Sequence, residues 1–582
     1  MFNKRQGRVR LISVVLVLLA IIVACGGSST ATQPPGGSST ATQPTVVAPT
    51  VASGQAKTTK SEVSTPVPTA VPATSVPPSD AMAKLGGTLI HVPASDISFL
   101  DPSPSGILPD FYHGMLAFDH LFGMDVNGVP QPQMVDDWSL SDDGRSYSFT
   151  LRDNLAFHDG SPVTTNEVVC SLERNLKGRS VLGKLLAVDL DDMEKVNDKT
   201  FKINLSGDFG LVLDTLAENS VGSAIIYTMS DCVVDPLEAA DAKIGNGPMK
   251  FIEWNPGADA LYRRNDDYVP RSEPVSDYAG GKIINIDELK YHIIPDRNTR
   301  AIALETGLVD MIDFPLEDDF ARLDASSDLV TQFDNLEGFD FISLNQLAPP
   351  FDNLNARMAL IVGIPQADLL AAAYPEGFWT ECAASFGCGG RWESSVGPQS
   401  DYINGDPDRA RALWADSGYD GRPIKIRTFA DRPNMFNFAL VVQQFLEDEL
   451  DAEVEFLSGD ISATFSLVNT KGEAEEGNWN ISMIWSTSGG LDPVRNSTMR
   501  GPWHGWGDRP DIDALKSDFA RAVTDAEKEG IVDVIQERYL TDAAVFVAGQ
   551  HRTYRAWNKD VKDVVSPSTR TYPIFWGLWL DR

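Results

Sequence analysis

The amino-acid sequence predicts an α/β protein built from two blocks, each with its own sheet. Strand-like and helix-like segments alternate from Gly86 to the C-terminus. The chain beyond Leu85 has about 500 residues, which is too many for one hydrophobic core. No run of about 18 apolar residues interrupts this part, so no membrane-spanning helix is expected in it.

The first block opens with the strand-like segment GGTLIHVP and continues with SYSFTLR, in which alternate residues are apolar. TTNEVVCSLERNL is typical of a helix, with Thr164 and Glu167 spaced as a capping box. FKINL, MKFIEW and ELKYHII are further strands. DRNTRAIALETGLVD predicts a helix that ends at Gly307, where a left-handed C-cap is expected.

The second block begins near FDFISLN, and two helices follow it, NARMALIVGI and DPDRARALWADSGY. The latter has Asp406 as its cap, Pro407 at its first position and Gly418 beyond its end. IKIRTF, the long helix NMFNFALVVQQFLEDEL, AEVEFL and WNISMIW repeat the strand–helix–strand pattern. DIDALKSDFARAVTDAEKEGIVDVIQERYL predicts two more helices before FVAGQHRTYRAW.

The N-terminus indicates export. Basic residues precede the apolar run LISVVLVLLAIIVA, which has the length of a secretory signal, residues 1–24. The residues Ile22–Cys25 resemble a bacterial lipobox, which predicts a lipid on Cys25; a plain signal peptide or short anchor is the alternative. Residues 25–84 are rich in Gly, Ser, Thr and Pro and cannot bury an apolar core, so they are expected to form a disordered tether.

The net charge limits the binding partners that can be expected, and the cysteines indicate disulfides rather than a metal site. A formal charge of −34 makes nucleic acid and anionic lipid surfaces poor partners, and it is interpreted as a solubilising surface. Beyond Cys25, four cysteines in an exported chain suggest two disulfides. Cys382 and Cys388 lie in the short loop CAASFGC, and Cys170 and Cys232 remain as the second pair by elimination. No histidine lies at ligand spacing beside either pair, so neither a metal nor another cofactor is expected.

Catalytic motifs are missing from the sequence. His158 and Asp159 are adjacent in FHDG, but adjacent residues of an extended chain point to opposite faces and form no acid–base pair by themselves. No Gly-x-Ser-x-Gly elbow is present. The sequence therefore favours a binding protein over an enzyme.

A long collinear stretch identifies a family resemblance. The segment PQPQMVDDWSLSDDGRSYSFTLRDNLAFHDGSPVTTNEVVCSLERNL resembles the signature region of the peptide/nickel group of extracytoplasmic solute-binding proteins, which serve ABC importers. LDP, GNGPMKFIEWNPG, ETGLVDMID and SLNQLAPPFDNLNARMAL extend the resemblance over residues 86–582. It implies a type II periplasmic-binding-protein fold, with two lobes around a ligand cleft. The implied boundaries are 85–340 for lobe I with an inserted subdomain at about 126–245, 341–545 for lobe II, and 546–582 for the return to lobe I.

The resemblance implies a first ligand-binding segment after the LDP motif. In oligopeptide-binding members the loop between this motif and the next helix contacts the ligand backbone. The matching residues here are Gly106, Ile107 and Leu108. Gly106 replaces a carboxylate that contacts ligand in those members.

The second implied segment is IWSTSGGLDP, at a strand end. In dipeptide and oligopeptide members the tryptophan is followed three residues later by an aspartate that pairs with the α-ammonium group of the ligand. Trp485 matches the tryptophan, Ser486 and Thr487 follow it, and Ser488 occupies the aspartate position. A serine cannot replace a charge-assisted hydrogen bond of about 1.5–3 kcal/mol, so free peptide N-termini are less favoured. If the alignment is shifted, Asp492 is the ammonium partner instead.

Three further residues are candidate ligand contacts. Trp503 and Trp506 in GPWHGWGD offer flat aromatic faces, although ordinary packing explains them equally well. Gln550, near the returning crossover, matches a position at which oligopeptide members offer a polar aromatic residue.

The expected function is that of a monomeric receptor, anchored by lipid on the periplasmic side or outer cell surface. It would capture a peptide or peptide-like solute and deliver it to ABC permease subunits. Binding of an oligosaccharide or another polar solute is the alternative, and a metal chelate is a more distant one. A secreted hydrolase and a solute-sensing receptor are the competing classes.

Overall fold

The computed structural model describes residues 84–334, 338–429, 432–459, 461–468, 470–486, 492–499, 509–569 and 572–582. Cys25, Thr487, Ser488, Trp503 and Trp506 lie outside these ranges, and for Ser486 only the backbone is described.

Two central sheets and a smaller third sheet contain most of the strands. In chain order the strands are β1 (Thr88–Val92), β2 (Phe122–Met124), β3 (Pro130–Pro132), β4 (Val135–Leu140), β5 (Ser146–Leu151), β6 (Leu190–Lys195), β7 (Thr200–Leu205), β8 (Met249–Asn255), β9 (Asp259–Arg264), β10 (Glu288–His292), β11 (Met311–Asp313), β12 (Leu329–Phe333), β13 (Gly338–Leu344), β14 (Trp379–Thr380), β15 (Ile424–Phe429), β16 (Val454–Gly459), β17 (Ile481–Ser486), β18 (Phe546–His551), β19 (Tyr554–Asn558), β20 (Val561–Lys562) and β21 (Trp579–Leu580).

Helices connect these strands and cover the sheets. They are α1 (Leu108–Ala117), α2 (Thr165–Lys177), α3 (Val181–Asp189), α4 (Val212–Leu216), α5 (Met229–Cys232), α6 (Arg297–Glu305), α7 (Phe320–Asp324), α8 (Leu354–Gly363), α9 (Gln366–Ala373), α10 (Gln399–Ile403), α11 (Pro407–Ala415), α12 (Pro433–Asp448), α13 (Ile461–Val468), α14 (Lys471–Glu475), α15 (Pro510–Arg521) and α16 (Asp525–Thr541), with 3-10 turns at Glu317–Asp319 and Ser497–Met499. Within the described residues no single helix combines the length and apolarity of a membrane span; α8 and α9 meet that test only as a pair bent by 67°.

The first sheet has the order β12-β19-β11-β1-β10-β9-β8, and we call the residues around it, 84–334 and 554–582, the first lobe. β1 runs parallel to β10 and β11, so the loops that follow these three strands leave from one edge. A separate antiparallel sheet, β4-β5-β7-β6, forms a subdomain of this lobe. Its helix α2 begins with the predicted capping box, because Thr164 and Glu167 exchange hydrogen bonds with each other's backbone.

The second sheet has the order β14-β18-β13-β17-β15-β16 and defines the second lobe, residues 338–551. β15 is parallel to both β16 and β17, and their C-terminal ends share one edge. The register places Ile481, Met483 and Trp485 opposite alternate residues of β13, which confirms that they share one strand face. The predicted cap of α11 is also confirmed, since the Asp406 side chain accepts from the backbone of Arg409.

Two short connections join the lobes, from β12 to β13 and from β18 to β19. Asp334 lies in the first connection, and its carboxylate pairs with Arg555 of β19 and accepts from the Thr553 hydroxyl at 2.8 Å. Burial raises the pKa of Asp334 to about 6. Phe333 and Phe378 pack edge to face with ring centroids 5.0 Å apart, so aromatic contacts also cross at this point. These connections form the only crossings of the chain between the two sheets among the described strands.

The four cysteines of the described chain form two disulfides. One joins Cys170 of α2 to Cys232 of α5, and the other joins Cys382 to Cys388 across a six-residue separation. The first ties two helices of the first lobe, and the second closes a loop beside β18.

Candidate ligand-binding site

The loop between β1 and α1 is fixed at its centre by a buried carboxylate. Asp101 accepts hydrogen bonds from the backbone N–H groups of Ser103 at 3.0 Å and Ala240 at 2.9 Å. Its other partners are the Arg174 guanidinium, at 2.7 Å, and the Tyr227 hydroxyl. Asp101 and Arg174 are both buried, so this ion pair joins the loop to the subdomain.

A second carboxylate fixes the end of the same loop. Asp110 of α1 accepts from the Ser105 hydroxyl at 2.6 Å, and Ser105 accepts from the backbone of Ile107 at 3.1 Å. Burial raises the pKa of Asp110. Between these anchors Gly106 is exposed and has no atom within 4 Å of the place where a Cβ would stand. Ile107 is 37% exposed, whereas Leu108 starts α1 and is half-buried. The predicted segment is therefore a rigidly held loop with an open surface.

In the second lobe, Trp485 lies near the C-terminal end of β17 and is half-buried. Its ring packs edge to face against Phe429, the last residue of the neighbouring strand β15, with centroids 5.4 Å apart. The guanidinium of Arg432 lies 3.8 Å from the centroid of the Trp485 ring. A cation thus stacks on the tryptophan at the strand-end edge of this sheet.

The sequence patterns did not indicate Arg432. It directly precedes Pro433, the first residue of the 16-residue helix α12, so its backbone is the N-cap at the positive end of a long helix. Carboxyl ends of parallel strands and helix N-termini are both typical ligand positions in α/β proteins. A sequence signal was present, because the Arg-Pro pair comes shortly after the predicted strand IKIRTF. The sequence does not show that Arg432 stacks on Trp485, because Trp485 lies in another strand, 53 positions later in the chain.

Asp492 is buried and its carboxylate is engaged locally. It accepts from the backbone N–H groups of Val494 at 2.9 Å and Arg495 at 2.8 Å, and it pairs with the Arg495 side chain. Such bonds are typical of an aspartate that shapes a turn. The Arg495 guanidinium also comes within 3.8 Å of the carboxylate of Glu218 in the first lobe.

The turn at residues 218–223 brings the two predicted segments close together. Glu218 contacts Arg495, the partner of Asp492 in the second lobe. Four residues later, the backbone N–H of Gly222 donates to the carbonyl of Ser103 at 3.1 Å, in the loop that carries Gly106. The loop after β1 and the segment after β17 therefore meet at one turn of the subdomain, although they are far apart in sequence.

Gln550 lies in β18, opposite Phe339 of β13 and Thr380 of β14. Its side chain is buried, and its oxygen accepts from the backbone N–H of Cys388 at 3.0 Å. In this structure Gln550 holds the disulfide loop against the sheet.

The described part of the chain contains no cluster of metal ligands, and three of its histidines are buried and neutral. No group of three or more His, Cys, Asp and Glu side chains there could hold a metal ion. Burial lowers the pKa of His113 and of His120 to about 3 and that of His158 to about 4, so all three are neutral near pH 7. His158 donates from Nε2 to the carbonyl of Gly247 at 3.1 Å and accepts at Nδ1 from the backbone N–H of Gly245 at 3.3 Å, as a structural residue does.

A cavity of about 300 Å³ lies elsewhere in the second lobe. It is lined by Tyr419, Lys425 and Glu455, among others, at the N-terminal ends of β15 and β16. This is the opposite edge of the sheet from Trp485, so the cavity is separate from the predicted ligand segments.

Comparison with known proteins gives a consistent result. The family model described as bacterial extracellular solute-binding proteins, family 5, middle, matches residues 129–508. A probable peptide ABC transporter periplasmic-binding protein of Sinorhizobium fredii is 28% identical over 501 residues, covering 84% of this chain and 93% of that protein. A glutathione-binding protein of Pectobacterium atrosepticum is 26% identical over 487 residues, covering 81% of this chain and 88% of that protein.

Solved structures agree on the fold. An ABC transporter substrate-binding protein of Listeria monocytogenes superposes with a TM-score of 0.72 at 19% identity, covering 86% of this chain and 100% of that one. This likeness confirms the predicted fold class.

Proposed function

The chain belongs to family 5 of the bacterial extracellular solute-binding proteins, and from that premise we propose that it is the substrate-binding component of an ABC importer. It captures a peptide or peptide-like solute between its lobes and delivers it to the permease. A lipid on Cys25 holds it at the outer face of the membrane. Membership of a solute-binding family also agrees with the prediction that the chain is not an enzyme.

The observation that carries the proposal is the cation–aromatic pair of Arg432 and Trp485 at the strand-end edge of the second lobe. A guanidinium is suited to a carboxylate, which it can bind through two parallel hydrogen bonds, and the helix N-terminus at the Arg432 backbone also favours an anion. The Trp485 ring supplies an apolar wall of the kind found in ligand clefts. Peptides and glutathione, the ligands named for two relatives, carry carboxylates. We therefore assign the carboxylate of the solute to Arg432.

The amine end of the solute is assigned to Ser488. The bonds of the Asp492 carboxylate to its own turn and to Arg495 favour a turn-shaping role for that aspartate. A serine provides one acceptor but no negative charge, so an ammonium group gains less here than it would from an aspartate. Solutes with a blocked or shielded amine are then bound nearly as well as those with a free one.

The remaining contacts complete the cleft. From the first lobe, Gly106, Ile107 and Leu108 contact the solute backbone, and the missing side chain at Gly106 leaves room for it. From the second lobe the contacts are Ser486, Thr487, Trp503 and Trp506, with Gln550 contributing through the disulfide loop that it holds. Closure about the two connections between the lobes brings both sets onto the solute.

The identity of the solute is tested first by denaturing purified protein and identifying what it releases by mass spectrometry. A peptide or another carboxylate-bearing compound supports the proposal. A neutral sugar contradicts the assignment to Arg432 and favours the oligosaccharide alternative.

The role of Arg432 is tested by calorimetry with short peptides and their C-terminal amides. Amidation removes the carboxylate, so we expect the affinity of the wild type to fall by about 10- to 100-fold, the equivalent of a charge-assisted hydrogen bond of about 1.5–3 kcal/mol. Arg432→Gln should bind acids and amides equally weakly. Arg422→Gln is the matched control, because Arg422 is exposed and precedes the opposite end of β15. Equal binding of acid and amide by the wild type would contradict the assignment.

A further inference from the structure

The two lobes touch along a surface that we name the seam, which starts at the contact of Glu218 with Arg495 and extends along the subdomain. From the first lobe it contains residues of the subdomain; from the second it contains the α15–α16 connection and nearby basic side chains. The backbone N–H of Gly210 donates to the carbonyl of Ala520 at 2.8 Å, and Lys528 donates to the carbonyl of Gly210 at 3.0 Å. The lobes are therefore in hydrogen-bonding contact at Gly210.

Gly210 allows this contact because it has no side chain. A Cβ at this position would stand 1.7 Å from the carbonyl oxygen of Ala522 in the other lobe. The backbone of Gly210 is outside the left-handed region, so an alanine could adopt it without strain. A methyl group at residue 210 would thus clash only when the lobes are together.

The ionic contacts across the seam share one polarity. Between described residues they are Arg391 with Asp214 at 3.8 Å, Arg495 with Glu218 at 3.8 Å and Arg521 with Asp189 at 3.4 Å. In each case the cation belongs to the second lobe and the carboxylate to the first. In a chain with a formal charge of −34, this arrangement places basic groups of one lobe against acidic groups of the other.

Contacts within the second lobe hold the Arg391 guanidinium in the position from which it faces Asp214. Its guanidinium lies 4.6 Å from the centroid of the Trp392 ring and 3.2 Å from the carboxylate of Asp525. From this position it also donates to the carbonyl of Gly128 in the first lobe at 2.8 Å. Because the cation is already held in place before the lobes meet, less side-chain conformational entropy is lost on closure.

The seam also buries charge. Lys528 is 4% exposed and Glu218 is 2% exposed in this structure. Burial lowers the pKa of Lys528, with carboxylates such as Asp214 opposing that shift. A buried charge is tolerated only when its partners replace water, and here part of that replacement comes from the other lobe.

We propose that the seam is an electrostatic latch, which holds the two lobes closed in the absence of solute and which ionic strength opens. The latch uses no residue assigned to the carboxylate or the amine of a solute. Its failure and the failure of the proposed transport role are therefore separate outcomes. The solute then enters during transient opening and stabilises a form that the free protein already populates.

The test uses small-angle X-ray scattering of the full chain without solute, prepared by unfolding, dialysis and refolding. Between about 0.1 M and about 1 M NaCl the Debye length falls from about 10 Å to about 3 Å, comparable to the ion-pair distances of the seam. We expect the wild type to match the closed structure at low salt and to expand at high salt. Of the three pairs only Arg521–Asp189 has a substantially exposed member, Arg521 at 46%, so screening acts mainly on that pair and should lower the closed-to-open ratio by up to about fivefold.

Gly210→Ala should scatter as the expanded form at both salt concentrations. Gly530→Ala is the matched control: Gly530 is exposed in α16 and has no atom within 4 Å of the place where a Cβ would stand. Hydrogen exchange provides a local readout, because closure protects the amide of residue 210 and opening exposes it. An expanded wild type at low salt, no response to salt, or a Gly210→Ala protein as closed as Gly530→Ala would each overturn the proposal.

Discussion

Replacement of Asp101 by asparagine tests how the binding loop of the first lobe is held. Asp101→Asn keeps the size of the side chain but removes the charge that compensates Arg174, whose guanidinium is 1% exposed. Arg174 keeps the backbone carbonyls of Val234, Asp235 and Glu238 and the ring of Tyr227, 5.1 Å away, but no carboxylate as a partner among these contacts. Removing one partner of a buried ion pair costs about 3–5 kcal/mol, because the other charge stays buried. We expect a loss of unfolding free energy of that size.

The assay is urea unfolding followed by tryptophan fluorescence, with the free energy obtained by linear extrapolation. Asp153→Asn is the control, since Asp153 forms an exposed pair with Lys199 in the same lobe and should change stability little. Asp101→Asn combined with Arg174→Met removes both charges and should recover at least half of the loss. A loss below about 1 kcal/mol for Asp101→Asn, or no recovery in the double variant, would refute the reasoning.

Three further predictions concern stability. His113 is buried with a pKa of about 3, so it is neutral when folded and gains a proton on unfolding below pH 6.5. The stabilisation that neutral His113 contributes is complete above pH 6.5 and declines as the pH falls towards 3. At pH 5 the loss amounts to about 2 kcal/mol of unfolding free energy. The variant His113→Gln should therefore show a smaller difference in stability between pH 7 and pH 5 in urea titrations. Removing the Cys170–Cys232 disulfide, whose sequence separation is 62, should cost about 4 kcal/mol by loop entropy, measured by urea unfolding under oxidising conditions. Gly245→Ala should cost about 1–3 kcal/mol in the same assay, because a Cβ would stand 1.7 Å from the carbonyl oxygen of Ala117.

Each of the three stability predictions has a control or an outcome that would contradict it. An unchanged pH dependence in His113→Gln would show that His113 is protonated equally in both states. Removing Cys382–Cys388, with a separation of only six residues, should cost about 2 kcal/mol, and a cost equal to that of the longer loop would contradict the entropic argument. Gly472→Ala is the control for the glycine variant, since nothing lies within 4 Å of the position that its Cβ would take, and equal losses would remove the role of the clash.

The elements that could be predicted from the sequence are those with a strong local pattern. The capping box of α2 and the Asp406 cap of α11 follow from residues three or four apart, and both are present. Strands with one buried face, such as β5 and β7, show alternation that is visible in a single segment. β6, with the sequence LDDMEK, was not predicted because it is a largely exposed edge strand without an apolar stripe.

The candidate site was predictable only in part. The two segments at Gly106 and Trp485 followed from a family resemblance, and the strand-end position of Trp485 followed from the pattern WNISMIW. The sequence does not indicate Arg432 as a site residue, because that role depends on its contact with the Trp485 ring from another strand. The resemblance placed Ser488 at the aspartate position, with Asp492 as the alternative for a shifted alignment, and the structure adds that the Asp492 carboxylate is bonded within its own turn.

By itself, then, the sequence determined the α/β class, the family, and those helices and strands that have a strong local pattern, because these depend on local preferences and collinear motifs. Tertiary structure alone decided that Arg432 stacks on Trp485, that Asp101 is paired with Arg174, and that the seam has one polarity. Each of these joins residues separated by dozens to hundreds of positions. The first two contacts exist only once their own lobe has folded, and the seam exists only once the chain has crossed between the two sheets, so no local pattern encodes them.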